Sequence, residues 1–489
     1  MCFLLGHVAG AGEMFIYVDP FEREGAQARN SRPMRETLAW LRGGHLLGVF
    51  PGGTVSHWDW QKRRVSDPAW DPTIARLILR TQATVVPVYF PGRNSLAFQA
   101  LGTLHPKLRT LMLPRELVRL EGREIEARIG QPIPVGQYRD KTEAELLAHL
   151  RARVYMLSKR GQATPASVAA TAGQVPIAEP LPAAEVAAAL AALPADRLLV
   201  DGTPMQVWLL RGREAPAVLQ EVGRVRELTF RAVGEGTGQA RDLDRFDDWY
   251  DHLVLWDRDE ERVTGGYRLG RLAEILPRHG VDGLYTATLY DFKPRVLAVL
   301  RHDGLELGRS YICHEYQRRH NSLLLLWQAI GRYVAQQPGR CALFGTVSFS
   351  ADYQPMSHRL GVAFLDVADR LSELSQHVRS RRPVARESLA HLAPDLDGVG
   401  VELEDIAGLI ADLEPDHKGI PVLLKQYLKL GGKVMGFNRD PDFGNTLDVL
   451  MLVDLRRTNQ RLLRRYMGPD AHDRFTAHHA DTLAVLAER

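Results

Sequence analysis

The sequence predicts an α/β fold in two blocks, and three observations point to it. Short apolar runs of strand length alternate with helix-period stretches through the first 158 residues. A second series of apolar runs brackets a central helix in the last part of the chain, the pattern of a mixed sheet. Between the two lies an Ala/Pro-rich stretch with few bulky groups to bury. We therefore expect a domain over 1–160, a linker over 161–195 and a second domain over 196–489, within what 489 residues allow.

In the first block, Met14–Val18 and Leu46–Phe50 read as strands, with helical periodicity over Ala26–Arg42 between them. A helix follows at Asp71–Gln82, then strands at Thr84–Phe90 and Ile125–Ile129. Thr142–Ser158 reads as a helix opened by a Thr-x-x-Glu cap, Thr142 and Glu145. The linker carries one short Ala-rich helix at Ala183–Ala192. The second block opens with the strand Gln206–Arg211 and the helix Pro216–Phe230. Strands follow at His252–Asp257, Gly265–Leu269 and Leu305–Cys313, then a helix at Asn321–Gln337 and a strand at Ala342–Ser348. Residues 366–416 are charged, helical and loop-like. Two final strands, Lys433–Gly436 and Asp448–Leu455, precede a basic helical tail.

Composition narrows the class. Lys+Arg 62 against Asp+Glu 59 gives a net charge of +3, no field to draw in nucleic acid. The three cysteines are scattered without metal-ligand spacing, which fits a reducing compartment and predicts no metal site. No run approaches the roughly 20 apolar residues of a spanning helix. The start has no basic stretch leading into a long apolar one, so no signal peptide is expected and the expected location is cytoplasmic.

The densest chemistry lies between Arg224 and Arg319. Arg226 and Phe230 share one helix face. Asp248-Trp-Tyr-Asp251 closes an acidic, aromatic cluster before a strand; Gly-Tyr-Arg268-Leu places an arginine on the next strand; Glu306-Leu-Gly-Arg309 places an acid and a base on another. Any one of these alone is more often a structural ion pair; the set argues for a site. It resembles the pattern of acyl-homoserine-lactone synthases, and more closely that of ornithine-lipid N-acyltransferases, both GNAT-like enzymes that take acyl chains from acyl carrier protein. The likeness covers most of 196–365, and Asp440-Pro-Asp442-Phe443 resembles the end of that family's sheet.

The resemblance implies a GNAT-like mixed-sheet domain that acylates the amine of ornithine. It implies Glu306 as proton acceptor, Arg309 or Arg268 as its orienting groups, and amides of the strand after Arg309 at the oxyanion. Asp248 and Asp251, with Arg226 and Phe230, would hold the acceptor. The turn before the central helix, Gln317-Arg318-Arg319-His320-Asn321-Ser322, lacks the glycines with which relatives cradle a pyrophosphate. Arg318 and Arg319 suit instead the single phosphate and acidic surface of an acyl carrier protein, because the helix dipole disfavours cations there unless an anion joins them. No bound cofactor is expected; acyl carrier protein is the donor.

In the first block, Phe50-Pro-Gly-Gly53-Thr54-Val-Ser56 and the Val86-Pro87-Val88 strand resemble two motifs of glycerolipid acyltransferases. His57-Trp-Asp-Trp60 and Arg93-Asn-Ser resemble the versions of that fold fused to the N-acyltransferase in bifunctional ornithine-lipid synthases and hemolysin-labelled proteins. The acceptor loop is then Phe50, Gly53, Thr54 and Ser56, with its usual Glu and Arg replaced by Gly52 and Val55. The family's His-x4-Asp pair is missing: His7 is followed five residues on by Gly12, and Asp19 is too far along. Either the start lies upstream of Met1 or O-acyl transfer is lost. Lys107, Arg109, Arg115, Arg119 and Arg123 interleave with leucines, a stretch able to rest on anionic lipid or to form a solvated helix face. We expect a bacterial aminolipid acyltransferase held peripherally at the inner membrane. A silent hemolysin-like protein and an acyl-homoserine-lactone synthase remain the alternatives.

Overall fold

The computed structural model describes residues 15–16, 26–59, 64–92, 94–104, 106–161, 174–337, 339–396 and 400–481. Most of the expected first strand, His7, Gly12, Asp19, Trp60, Arg93, the linker over 162–173 and the side chains of Lys107 and Arg109 lie outside the described residues. The chain divides into two compact units. One comprises Met1–Gln162 and Leu389–Gly419, the other Ala163–Ser388 and Ile420–Arg489.

The first unit carries two short antiparallel pairs, β1 (His57–Asp59) with β2 (Arg64–Ser66), and β3 (Val88–Tyr89) with β4 (Arg128–Ile129). The helices Pro72–Thr81 and Glu143–Leu157 pack together through Ala75, Ile78, Leu146 and Leu150. Asp71 caps the first helix, Thr142 and Glu145 form a capping box on the second, and Gln82 closes the first in a left-handed conformation. The expected strand Leu46–Phe50 does not form. An apolar run needs a pairing partner to become a strand; here Leu46 is 88% and Phe50 81% exposed.

The same unit claims residues expected in the second block. The helix Leu403–Leu413 buries Ile406, Leu409, Ile410 and Leu413 and packs on Glu143–Leu157. The ion pairs explain its placement: Asp412 accepts from Arg153 (Nη2–Oδ1 3.2 Å) and from the Gln131 amide (2.7 Å). Asp405 binds Lys141 at 3.0 Å, and Asp395 binds Arg151 at 3.0 Å. The expected boundary at 196 is also displaced. Residues 174–195 join the second unit through the Val175 amide to Gly238 O (2.9 Å) and the Ala178 amide to Ala240 O (3.0 Å), and the helix Ala183–Ala191 buries Val186 and Leu190.

The second unit is built on one eight-stranded sheet. Its strands are β5 (Leu198–Asp201), β6 (Met205–Arg211), β7 (Asp251–Asp257), β8 (Arg262–Arg271), β10 (Gly304–Ile312), β11 (Ala342–Phe349), β13 (Lys433–Asp440) and β14 (Thr446–Asp454). The order is β13-β14-β11-β10-β8-β7-β6-β5. A separate pair, β9 (Tyr290–Phe292) and β12 (Val378–Ser380), lies beside it. Every neighbour in the sheet is antiparallel except β10 and β11, which run parallel and pair only from Gly304↔Ala342 to Glu306↔Phe344. The helix Pro216–Arg231 packs on β8 and β10, and the helix Ser322–Ala335 packs on β5 to β8. Among the described residues no helix is long and apolar enough to cross a membrane.

Candidate active site

Strand periodicity sorts the charged residues onto two faces. In the register of β7, β8 and β10, His252 lies beside Arg268, Arg268 beside Gly308, and Glu306 beside Gly270. These share one face, against which the helix Pro216–Arg231 sets Arg226. Asp251 is one residue out of phase and takes the other face, where Tyr333 of the helix Ser322–Ala335 donates to it at 2.6 Å and Arg271 lies 3.2 Å away. Burial raises its pKa. Asp248 is exposed on the preceding turn and pairs with Arg213. Neither aspartate meets Arg226: strand phase turns Asp251 to the other face, and Asp248 is exposed.

Three aspartates that the sequence reading did not assign to the site do meet it. Arg226, Arg268 and Arg309 are bridged in turn by Asp242, Asp244 and Asp247. Arg226 binds Asp242 (Nε–Oδ2 3.1 Å) and both oxygens of Asp247 (3.1 and 3.2 Å). Arg268, 0% exposed, donates to Asp244 at 2.7 Å and Asp247 at 3.3 Å. Arg309 lies 3.0 Å from Asp242 and 3.6 Å from Asp244. Burial alone would raise the aspartate pKa values; Arg226 and Arg268, joined by Arg309 at Asp242, together outweigh it and hold both Asp242 and Asp247 below the usual range. Burial drives His252 down to about 4, so it stays neutral beside the arginines. Asp244 and Asp247 belong to the acidic, aromatic cluster before the strand, where Asp244 caps the short turn Arg245–Asp248; Asp242 lies in the loop ahead of it, which has no strand or helix period to advertise it.

Arg309 sits at a β-bulge. The register with β8 jumps between Gly308 and Tyr311, and Arg309 takes φ +46°. The bulge turns its guanidinium under two aromatic faces, Tyr285 and Phe443, each 4.8 Å from the ring centroid, and Nη1 donates to the Tyr285 hydroxyl at 3.0 Å. Phe443 also stacks edge-on against Phe230 at 5.1 Å, which places Phe230 in the same wall. The bulge coincides with the point where β10 and β11 separate. Gly345 marks the last tight contact: a Cβ there would lie 2.0 Å from Leu307 O. Beyond it a wedge opens, and a Cβ on Gly308 would meet nothing within 4 Å.

Glu306 lies on the same face, 1% exposed, with both oxygens engaged. Tyr250 donates to Oε2, and the Thr286 amide to Oε1 at 2.6 Å. Burial raises its pKa. Tyr250 in turn accepts from the Tyr285 amide at 3.0 Å, so Glu306 fixes the turn that carries Tyr285 to Arg309. Arg318 and Arg319 are exposed in the turn before the helix Ser322–Ala335, where His320 and Asn321 are left-handed. In the first unit, Phe50, Gly53 and Thr54 are exposed, Gly53 with φ +64°, and Ser56 donates to Asp67.

An acetyltransferase (GNAT) domain model matches residues 225–328, from the Arg226 helix into the helix after Arg319. The glycine N(alpha)-acyltransferase of Phocaeicola vulgatus is 26% identical over 249 residues, 49% of this chain and 76% of its own. The L-ornithine N(alpha)-acyltransferase of Rhodobacter capsulatus is 32% identical over 267 residues, 50% of this chain and 89% of its own. A lyso-glycine lipid O-acyltransferase of Phocaeicola vulgatus is 28% identical over 145 residues, 28% of this chain and 50% of its own. A splayed parallel strand pair, a bulged arginine and a relative matched over nearly its whole length converge: the chain is an N-acyltransferase and belongs to the GNAT-domain family of amino-acid N(alpha)-acyltransferases.

Proposed function

We propose that this chain transfers a (3-hydroxy)acyl group from acyl carrier protein to the α-amine of ornithine, a step of bacterial aminolipid synthesis. The observation that carries the reading is the wedge between β10 and β11, opened at the Arg309 bulge. A thioester lying in such a wedge presents its carbonyl to the backbone amides freed by the bulge. The neutral amine attacks that carbonyl carbon. The C–N bond forms, the C–S bond breaks, and the amine's proton leaves with the thiol. Arg309 shapes the wall and Glu306 acts as a positioning residue through Tyr250 and the Tyr285 turn. Arg318 and Arg319 receive the phosphopantetheine phosphate at the helix start. The first unit is a glycerolipid-acyltransferase-like domain. Its exposed Phe50, Leu111 and Leu117, with Arg115 and Arg119, rest on the anionic membrane surface.

The purified chain, given 3-hydroxyacyl-charged acyl carrier protein and L-ornithine, is expected to yield N-acylornithine by mass spectrometry. Absence of any N-acyl amino acid from folded protein would overturn the reading. Replacing Arg318 and Arg319 by Ala together is expected to raise KM for the charged carrier protein about tenfold or more, with KM for ornithine unchanged.

A further inference from the structure

The far wall of the wedge holds acids that the network above does not use. Gly444, with φ +69°, makes the turn between β13 and β14, and a Cβ there would lie 2.1 Å from Gly234 O. This close approach brings Glu235, in the loop after the helix Pro216–Arg231, against the hairpin that carries Asp440 and Asp448. Asp352 faces Glu235 as well. Glu235, Asp440 and Asp448 have no ion-pair partner among the described residues. Two guanidiniums stand near. Arg309 is committed to Asp242 and Asp244, and Arg439 donates to Asn445 O at 3.1 Å.

Asp448 points to a ligand independently of this cluster. It is 3% exposed, yet only Oδ1 is used, by Ser348 (2.7 Å) and Thr446 (3.1 Å). Its Oδ2 accepts from no described residue. The Glu235 carboxyl has no hydrogen bond to any described residue either. Burial, with each acid's neighbours, pushes Glu235 up to about 8 and Asp448 to about 6. Arg309 lowers both without offsetting burial and the neighbouring acids.

We propose that Glu235 and Asp448 hold the side-chain ammonium of a diamino-acid acceptor, the group that distinguishes ornithine from glycine. This rests on the N-acyl-transfer reading and deepens it. Arg309 stands in the bulge and acts electrostatically on both acids, so an acceptor anchored by its side chain presents its α-amine toward the wedge.

The test is calorimetric titration of the full chain at pH 7.5 with L-ornithine and with L-norvaline, which has the same carbon chain without the terminal amine. Ornithine is expected to bind at least tenfold more tightly. Glu235→Gln and Asp448→Asn should each erase most of that preference and leave norvaline binding unchanged. Equal affinities in the unaltered protein, binding of neither ligand, a preference kept by both variants, or equal loss for both ligands would each overturn the assignment. The comparison in the unaltered chain needs no variant to fold. A retained preference without acyl transfer would count against the proposed reaction and not against this site.

Discussion

Arg226, Arg268 and Arg309 illustrate what burial demands of a charge. Each is enclosed, and each shares its aspartates with a neighbour, so no member can be removed without stranding another. Asp247→Ala leaves Arg226 and Arg268 short of a partner and is expected to cost about 3–5 kcal/mol in urea denaturation of the second unit. The carboxyls titrate in two windows. Asp242 and Asp247 are depressed, so their contribution is present at neutral pH and is lost only as pH falls below the ordinary carboxylate value of about 4. Glu235 and Asp448 are raised, to about 8 and about 6, so between about pH 4 and 8 the folded state holds more protons than the unfolded state. Stability of the second unit should therefore fall as pH rises from 5.5 to 8.5. Calorimetric melting should show a smaller drop in the Glu235→Gln, Asp448→Asn double variant; an equal drop would remove these two groups as its source. Arg226, Arg268, Glu306 and Arg309 were legible because each sits on an element with a period. Asp242 and Glu235 were not, because a loop residue's neighbours are set by the fold.

Local rules settle most elements. The helix beginning after Thr142 follows from its cap, and Pro72–Thr81 from Asp71 and the proline at its first turn. Strands β7, β8, β10 and β14 follow from apolar runs that found partners. The run at Leu46–Phe50 has the same composition and no partner, so pairing and not hydrophobicity decides. What no local rule conveys is that β10 and β11 part after three register pairs. Gly345 governs that point. An added methyl there meets a backbone oxygen, which cannot rotate away, so Gly345→Ala must push β10 from β11 one residue early. We expect a loss of about 1–3 kcal/mol and a drop in kcat larger than any change in KM. Unchanged melting temperature and turnover would show that the separation point does not matter.

At the scale of the chain, the path runs through the first unit, builds most of the second, returns to the first over Leu389–Gly419, and then adds β13 and β14 to the second unit's sheet. The return was invisible in the sequence because 389–419 is charged and helical like its flanks; its partners, Arg153, Lys141 and Arg151, lie more than two hundred residues earlier. Arg153 is 1% exposed and leans on Asp412, which is 0% exposed. Asp412→Ala removes that partner and leaves a buried guanidinium, an expected cost of about 3–5 kcal/mol to the first unit alone. The two units bury separate cores and the substitution touches one of them, so calorimetry of the full chain should show one melting transition moving down and the other staying in place. A shift of both by the same amount would mean that the units melt as one cooperative body. A shift of neither would mean that the first unit does not depend on the segment lent to it from the far side of the second.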